Sequence, residues 1–143
     1  MTPLLRLFLT CAVLLLSAGA ATKGADPLVV AHGERVELTD YLVPGKTVIF
    51  DFTSKYCGPC QMYEEPLKAL HRQRADIAVV KVDINRPDVA KIDWQSPVAQ
   101  QYRMDSIPRF KIFGPDGKLL AEDIGRDKPA RKLVNTWCEA LGF

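Results

Sequence analysis

Two cysteines three residues apart, Cys57 and Cys60, flank Gly58-Pro59 and are the residues of this 143-residue chain best suited to do chemistry. Upstream, Thr47-Val48-Ile49-Phe50-Asp51-Phe52 is rich in β-branched and aromatic residues, the pattern of a buried strand. Downstream, Tyr63, Leu67 and Leu70 recur at i, i+4 and i+7, the spacing of a helix with one buried face. The pair therefore sits where a strand delivers the chain into a helix N-terminus. Unpaired N–H groups and the positive end of the helix dipole favour a thiolate there, and the thiolate is the nucleophilic form of cysteine. Cys57, at the tip, is placed to attack; Cys60, on the same helical face, is placed to resolve a mixed disulfide. Pro59 suits a first helical turn, where its missing N–H would have been unpaired anyway. Gly58 leaves the backbone open to an approaching partner.

The elements that must hold this pair can be read from the rest of the chain. Pro27 to Ala31 and Arg35 to Leu38 read as short strands or strand-like arms, and Asp40 to Val43 as a turn or short helical segment. Pro66 falls inside the helix after the cysteines and should kink it. That helix ends in Lys68, His71, Arg72 and Arg74, cations suited to a helix C-terminus and read as a solvated end. Ile77 to Ile84 is a second apolar strand, and residues 85–96 form a long polar connection. Pro97 to Arg103 reads as a short helix, Arg109 to Phe113 as a strand, and Gly114-Pro115-Asp116-Gly117 as a hairpin turn leading to Leu119–Ile124. Gly125 breaks that run. Asp127 should cap a last helix whose apolar face is Leu133, Val134, Trp137, Cys138 and Leu141. Helices between strands imply parallel crossovers, and the hairpin adds antiparallel strands. The expected class is α/β, with a mixed central sheet flanked by helices on both faces.

Composition limits the partners. A formal charge of +2 with acids and bases interspersed, and no basic-aromatic stripe, argues against a nucleic-acid surface. At the N-terminus, Arg6, an apolar run from Leu7 to Ala18 and the small residues Ala18-Gly19-Ala20 have the form of a cleavable signal peptide. The run is shorter than the roughly 20 residues a membrane span needs. The alternative is an uncleaved N-terminal anchor. The chain thus divides into a signal peptide (1–20), a lead-in with the first strand or strands (21–46) and the main domain (47–143). Export, most simply to a bacterial periplasm, removes Cys11 with the leader and leaves Cys57, Cys60 and Cys138 in an oxidising compartment. There a CxxC can be a structural bridge, a redox centre or half of a metal site.

From about Thr47 to Leu141 the sequence resembles the thioredoxin family. The resemblance rests on Cys57-Gly58-Pro59-Cys60 after a strand, Asp51 within that strand, Lys81 in the next, and Ile107-Pro108 before the hairpin. It implies the thioredoxin fold and thiol–disulfide exchange at Cys57 and Cys60. It also implies a buried Asp51 that accepts the Cys60 proton with Lys81 nearby, and a cis Pro108 facing the cysteines. Tyr56, Gly58, Pro59, Ile107, Pro108 and Gly125 then border the bound substrate, although a strand-breaking Gly125 reads equally well as a bulge. For Asp51 and Lys81 the plain alternative is that both face solvent at strand ends. The chain departs from the family at Tyr56, where Trp is common, and at Gln61, where Lys is frequent. It departs again at Pro66, one residue late, and in its long connection to Pro108, where Asp93-Trp94 would rim the site.

The leading expectation is an exported thiol–disulfide oxidoreductase that reduces protein disulfides through the Cys57/Cys60 dithiol. A dithiol oxidase or isomerase is the alternative within the class. The dithiol is itself the redox group, so no small-molecule cofactor is implied; the partners are protein thiols and disulfides, with a membrane electron-transfer partner to recharge the pair. Two readings come from other classes. A zinc site would need Cys138, His32 or His71 to complete four ligands, and a non-catalytic interaction module would keep the disulfide inert. Cys138, on an apolar helix face, reads as a small buried hydrophobe.

Overall fold

Alternating side chains along a strand reach opposite faces of a sheet, and this decides where everything else packs. The structure, a computed structural model, describes residues 24–143; the leader and Cys11 lie outside the described residues. Five strands, β1 (Leu28–Val30), β2 (Thr47–Thr53), β3 (Ile77–Asp83), β4 (Arg109–Phe113) and β5 (Leu119–Glu122), form one sheet in the order β1-β3-β2-β4-β5. β1, β3 and β2 run parallel; β4 is antiparallel to β2, and β5 to β4. β2 is paired on both sides and buried along nearly its whole length, as a continuous apolar run requires.

On one face Val48, Phe50 and Phe52 pack with Val80 and Val82 beneath a 3-10 turn at Leu38–Tyr41 and α3 (Pro97–Gln101). On the other, Ile49, Ile77, Val79, Phe110 and Ile112 pack beneath α2 (Glu64–Gln73) and α4 (Pro129–Glu139). Helices therefore cover both faces, as the sequence predicts. The short α1 (Gly58–Gln61) bears the second cysteine at the end of the loop that leaves β2.

Several local expectations need correction. Arg35 to Leu38 is not a strand: the Val36 N–H donates to Gln101 Oε1 at 3.0 Å, and the Val36 carbonyl accepts from Gln101 Nε2 at 3.0 Å. One side-chain amide thus replaces a strand neighbour while Val36 and Leu38 stay buried. Pro66 does disturb the helix after the cysteines as expected, through an interruption at Met62–Tyr63. A proline ring crowds the carbonyl four residues before it, here that of Met62. Nor is the end of α2 merely solvated. Arg72 pairs with Asp26, Arg74 with Asp76 at 2.7 Å, and His71 Nδ1 accepts the Val79 N–H at 3.0 Å. Asp127 does not cap α4; Lys128 occupies the capping position without a side-chain bond. The carboxylate of Asp123 does that work, accepting the Arg131 N–H at 3.0 Å.

Candidate active site

Cys57 takes extended backbone angles at the N-cap of α1, so its sulfur turns back over the first turn and accepts the Cys60 N–H at 3.2 Å. The two cysteines form a disulfide, with Cα atoms 5.3 Å apart. Each is only 3% exposed, so a partner must come close to reach either sulfur. The space over Gly58 is open: a Cβ there would meet nothing within 4 Å, so neither packing nor backbone conformation demands a glycine. Tyr56, 38% exposed, flanks the pair with the Lys55 ammonium 5.1 Å from its ring centre.

The loop that carries Cys57 is braced from below. Ser54 Oγ accepts the Tyr56 N–H at 3.2 Å, and the Ser54 carbonyl accepts the Cys57 N–H at 3.0 Å. Ser54 Oγ in turn donates to Asn85 Oδ1 at 2.5 Å. Asn85 also donates to the carbonyls of Val89 and Lys91 and accepts the Asp93 N–H. Asp93 is buried rather than on the rim, bonded to Arg86 Nε at 2.7 Å, and Trp94 packs against the core. The guanidinium and neighbouring amides satisfy this carboxylate inside the connection and hold its pKa below the usual carboxylate range.

Ile107–Pro108 is a cis bond, and Cys57 Sγ lies 3.7 Å from the Ile107 carbonyl oxygen. A disulfide sulfur has no proton to donate, so this is a packing contact here; a reduced Cys57 thiol could donate along it. Two arginines fix this segment. Arg131 Nη2 donates to the Pro108 carbonyl, while the buried Arg109 donates to the carbonyls of Asp123 at 2.8 Å and Arg103 at 3.2 Å. Fully buried Asp123 ties them together by accepting the Phe110 and Arg131 N–H groups. Sequence reasoning passed over Asp123, Arg131, Ser54 and Asn85. The available signal was charge and amide at the ends of apolar strands, where burial demands partners.

Asp51 is 2% exposed and its Oδ1 has no hydrogen-bond partner. Burial pushes its carboxyl up to about 7, against a downward pull from Lys81 and with a further upward push from Glu64. Lys81 stands directly across the ladder from Asp51, but its ammonium is bonded to the Glu64 carboxylate. Asp51 therefore does not face solvent, whereas Lys81 is partly buried at the wall of an open cleft. Gly125 has φ of 52° in a turn closed by two 2.9 Å backbone bonds between Ile124 and Asp127. Just beyond it Lys128 reaches Ser106 Oγ at 3.5 Å, linking this turn to the Ile107–Pro108 segment. Cys138 is free and buried on α4, where desolvation raises its thiol pKa. His32 pairs with Asp83 at 3.5 Å and His71 with the Val79 amide. Among the described residues, no three His, Cys, Asp or Glu side chains group as a metal site would require.

The thioredoxin family profile matches residues 34–139. The chain belongs to the thioredoxin family. It is 32% identical over 122 residues to thioredoxin H2-1 of Oryza sativa subsp. japonica, the match covering 82% of each chain. With the thioredoxin of Chlamydia trachomatis serovar D it shares 35% identity over 90 residues, 62% of this chain and 79% of that one. Among solved structures, a point mutant of the thioredoxin from Halobacterium salinarum NRC-1 superposes with a TM-score of 0.55 at 29% identity, covering 84% of this chain and 96% of that one. Thioredoxins are thiol–disulfide oxidoreductases, and the Cys57–Cys60 disulfide is the corresponding redox pair in this chain.

Proposed function

We propose that this thioredoxin-family protein works outside the cytosol and reduces disulfides of other proteins. The observation that carries the reading is the pairing of a nearly covered Cys57–Cys60 disulfide with a buried Asp51 whose Oδ1 has no partner. In the reduced protein the Cys57 thiolate attacks one sulfur of a substrate disulfide. A Cys57–substrate disulfide forms and the other substrate sulfur leaves as a thiolate. Asp51, titrating near 7 because it is buried, takes the proton of Cys60. The Cys60 thiolate attacks Cys57 Sγ and releases the second substrate thiolate, and two electrons have passed to the substrate. The Ile107 carbonyl, beside Cys57 Sγ, offers the substrate backbone a hydrogen-bond acceptor.

Gly58-Pro59 between the cysteines favours the reducing direction by its likeness to reducing thioredoxins. The apolar run from Leu7 to Ala18, followed by Ala18-Gly19-Ala20, supports export to a periplasm. Recharging the pair there requires a membrane protein that delivers electrons as thiols. The dithiol remains the sole redox group of the cycle.

The deciding measurement is the reduction potential of the pair in graded dithiothreitol buffers, with alkylation and mass counting. A value near about −270 mV supports a reductase, and one near about −120 mV overturns that direction in favour of a disulfide donor. Cys60→Ser should accumulate a substrate-linked Cys57 disulfide, and its absence would leave Cys57 without the attacking role. Fractionating bacteria that express the full chain tests export: soluble periplasmic protein beginning after Ala20 supports it, and cytosolic protein with an intact leader overturns it.

A further inference from the structure

The parallel register sets Asp51 opposite Lys81 with both side chains on the face covered by α2. Along β2 this face begins at Ile49, sealed with Leu67 and Leu70. It continues through Asp51 to Thr53, which opens on a cleft of about 360 Å³. Glu64, Lys81 and Asp83 line the same cleft. A lysine across the ladder from a buried carboxyl is expected to pair with it. Here the ammonium is bonded instead to Glu64 Oε2, and Glu64 Oε1 is 3.4 Å from Lys68. Asp51 is left with an oxygen that no group bonds.

We propose that Glu64 is a positioning residue that holds Lys81 at the cleft wall, so that Asp51 exchanges its proton with solvent through the cleft instead of being locked in an ion pair. This deepens, and rests on, the reading of Asp51 as proton acceptor for Cys60. In each turnover one proton passes from Cys60 Sγ to Asp51; before the next, that proton passes to water or buffer base in the cleft.

The charges around Asp51 are few. β3 brings Lys81 and, further along the strand, Asp83; α2 brings Glu64, with Lys68 behind it; α1 and its cap bring the two cysteines. β4 presents Phe110 at this level, because Arg109 and Lys111 alternate to the opposite face. Asp123, just past β5, and Arg131 of α4 are engaged by the Phe110 amide and the Pro108 carbonyl. Lys81 pulls the Asp51 pKa down and Glu64 pushes it up, so removing either one has an opposite, readable effect.

The test follows the Asp51 carboxyl carbon by NMR titration in the oxidised protein. In Glu64→Gln the freed ammonium should turn to Asp51 and lower its midpoint by about one pH unit. In Lys81→Gln the midpoint should rise. Movement in these two directions, with the Lys81 Nζ signal tracking the Asp51 titration in Glu64→Gln, supports the proposal. An unchanged or raised midpoint in Glu64→Gln overturns it, and so does a fall in which the Lys81 Nζ signal does not track the Asp51 titration, since the lost Glu64 charge would then account for the fall without any release of Lys81. Glu64 is partly exposed on a helix, so Glu64→Gln folds and decides the question even if Lys81→Gln does not. The titration needs no substrate. Failure of the wild-type protein to reduce a disulfide-bonded protein would overturn the functional reading while leaving this result standing.

Discussion

Asp51 carries a cost that depends on pH. Its folded pKa of about 7 lies above the ordinary 3.8, so between these values the folded state keeps a proton that the unfolded state has lost. Stability therefore falls as pH rises through this window, and the full penalty is present above about 7. At about 1.4 kcal/mol per pH unit, the gap from 3.8 to about 7 amounts to about 4 kcal/mol. Asp51→Asn should be more stable than the parent at pH 8 by up to about this amount and nearly equal at pH 4, as read by urea unfolding of the oxidised protein. The same variant should resolve mixed disulfides about 100-fold more slowly at neutral pH, the scale of a lost proton acceptor. Gly58→Ala tests the other side of the site. The added methyl meets only open space, so stability should hold or rise by about 0.5 kcal/mol. Reduction of a folded protein disulfide should slow more than reduction of a small one. Asp51 could be read from the sequence because a lone acid in an apolar strand is conspicuous. Glu64 could not, since acids in a first helical turn are ordinary and only the tertiary packing reveals its hold on Lys81.

At the scale of elements, the polar connection after β3 is a brace for the cysteine loop. Asn85 alone contacts Ser54, Val89, Lys91 and Asp93. Asn85→Ala should therefore destabilise by about 3 kcal/mol, because several buried groups lose their partners together, with the loss read from denaturant midpoints. The predicted strands at β2, β3 and β4 and the hairpin after β4 were legible, because apolar runs and Gly-Pro-Asp-Gly encode them locally. The segment before the 3-10 turn has a strand's side-chain pattern, but its backbone pairs with the side chain of the distant Gln101 and not with a strand. The interior placement of Asp93 escaped the sequence for a similar reason. Its partner Arg86 is seven residues away in an irregular segment, where no periodicity signals a pair.

For the molecule as a whole, one buried acid joins the sheet to the last helix. Asp123 accepts amides from β4 and α4, so Asp123→Ala strands two backbone N–H groups. A loss of about 3 kcal/mol should follow, read as a lower denaturant midpoint with an unchanged slope. Cys138 lies in the same helix layer, with its thiol raised by burial. Alkylation of the reduced native protein should therefore label Cys57 first and Cys138 only on unfolding, as mass spectrometry at graded urea would show.

The contact between Asp26 and Arg72 has a geometric consequence. Arg72 belongs to the last turn of α2, whereas Glu64, at the start of that helix, lies beside the cysteine end of the sheet. Ten residues of helix, about 15 Å, separate the two levels. β1 also runs parallel to β2, so the chain enters the domain at the pole opposite the one where β2 delivers Cys57. The first described residues and the redox pair therefore stand at opposite ends of the sheet, so a tag or surface attached on the Asp26 side should leave Cys57 free to meet a disulfide substrate.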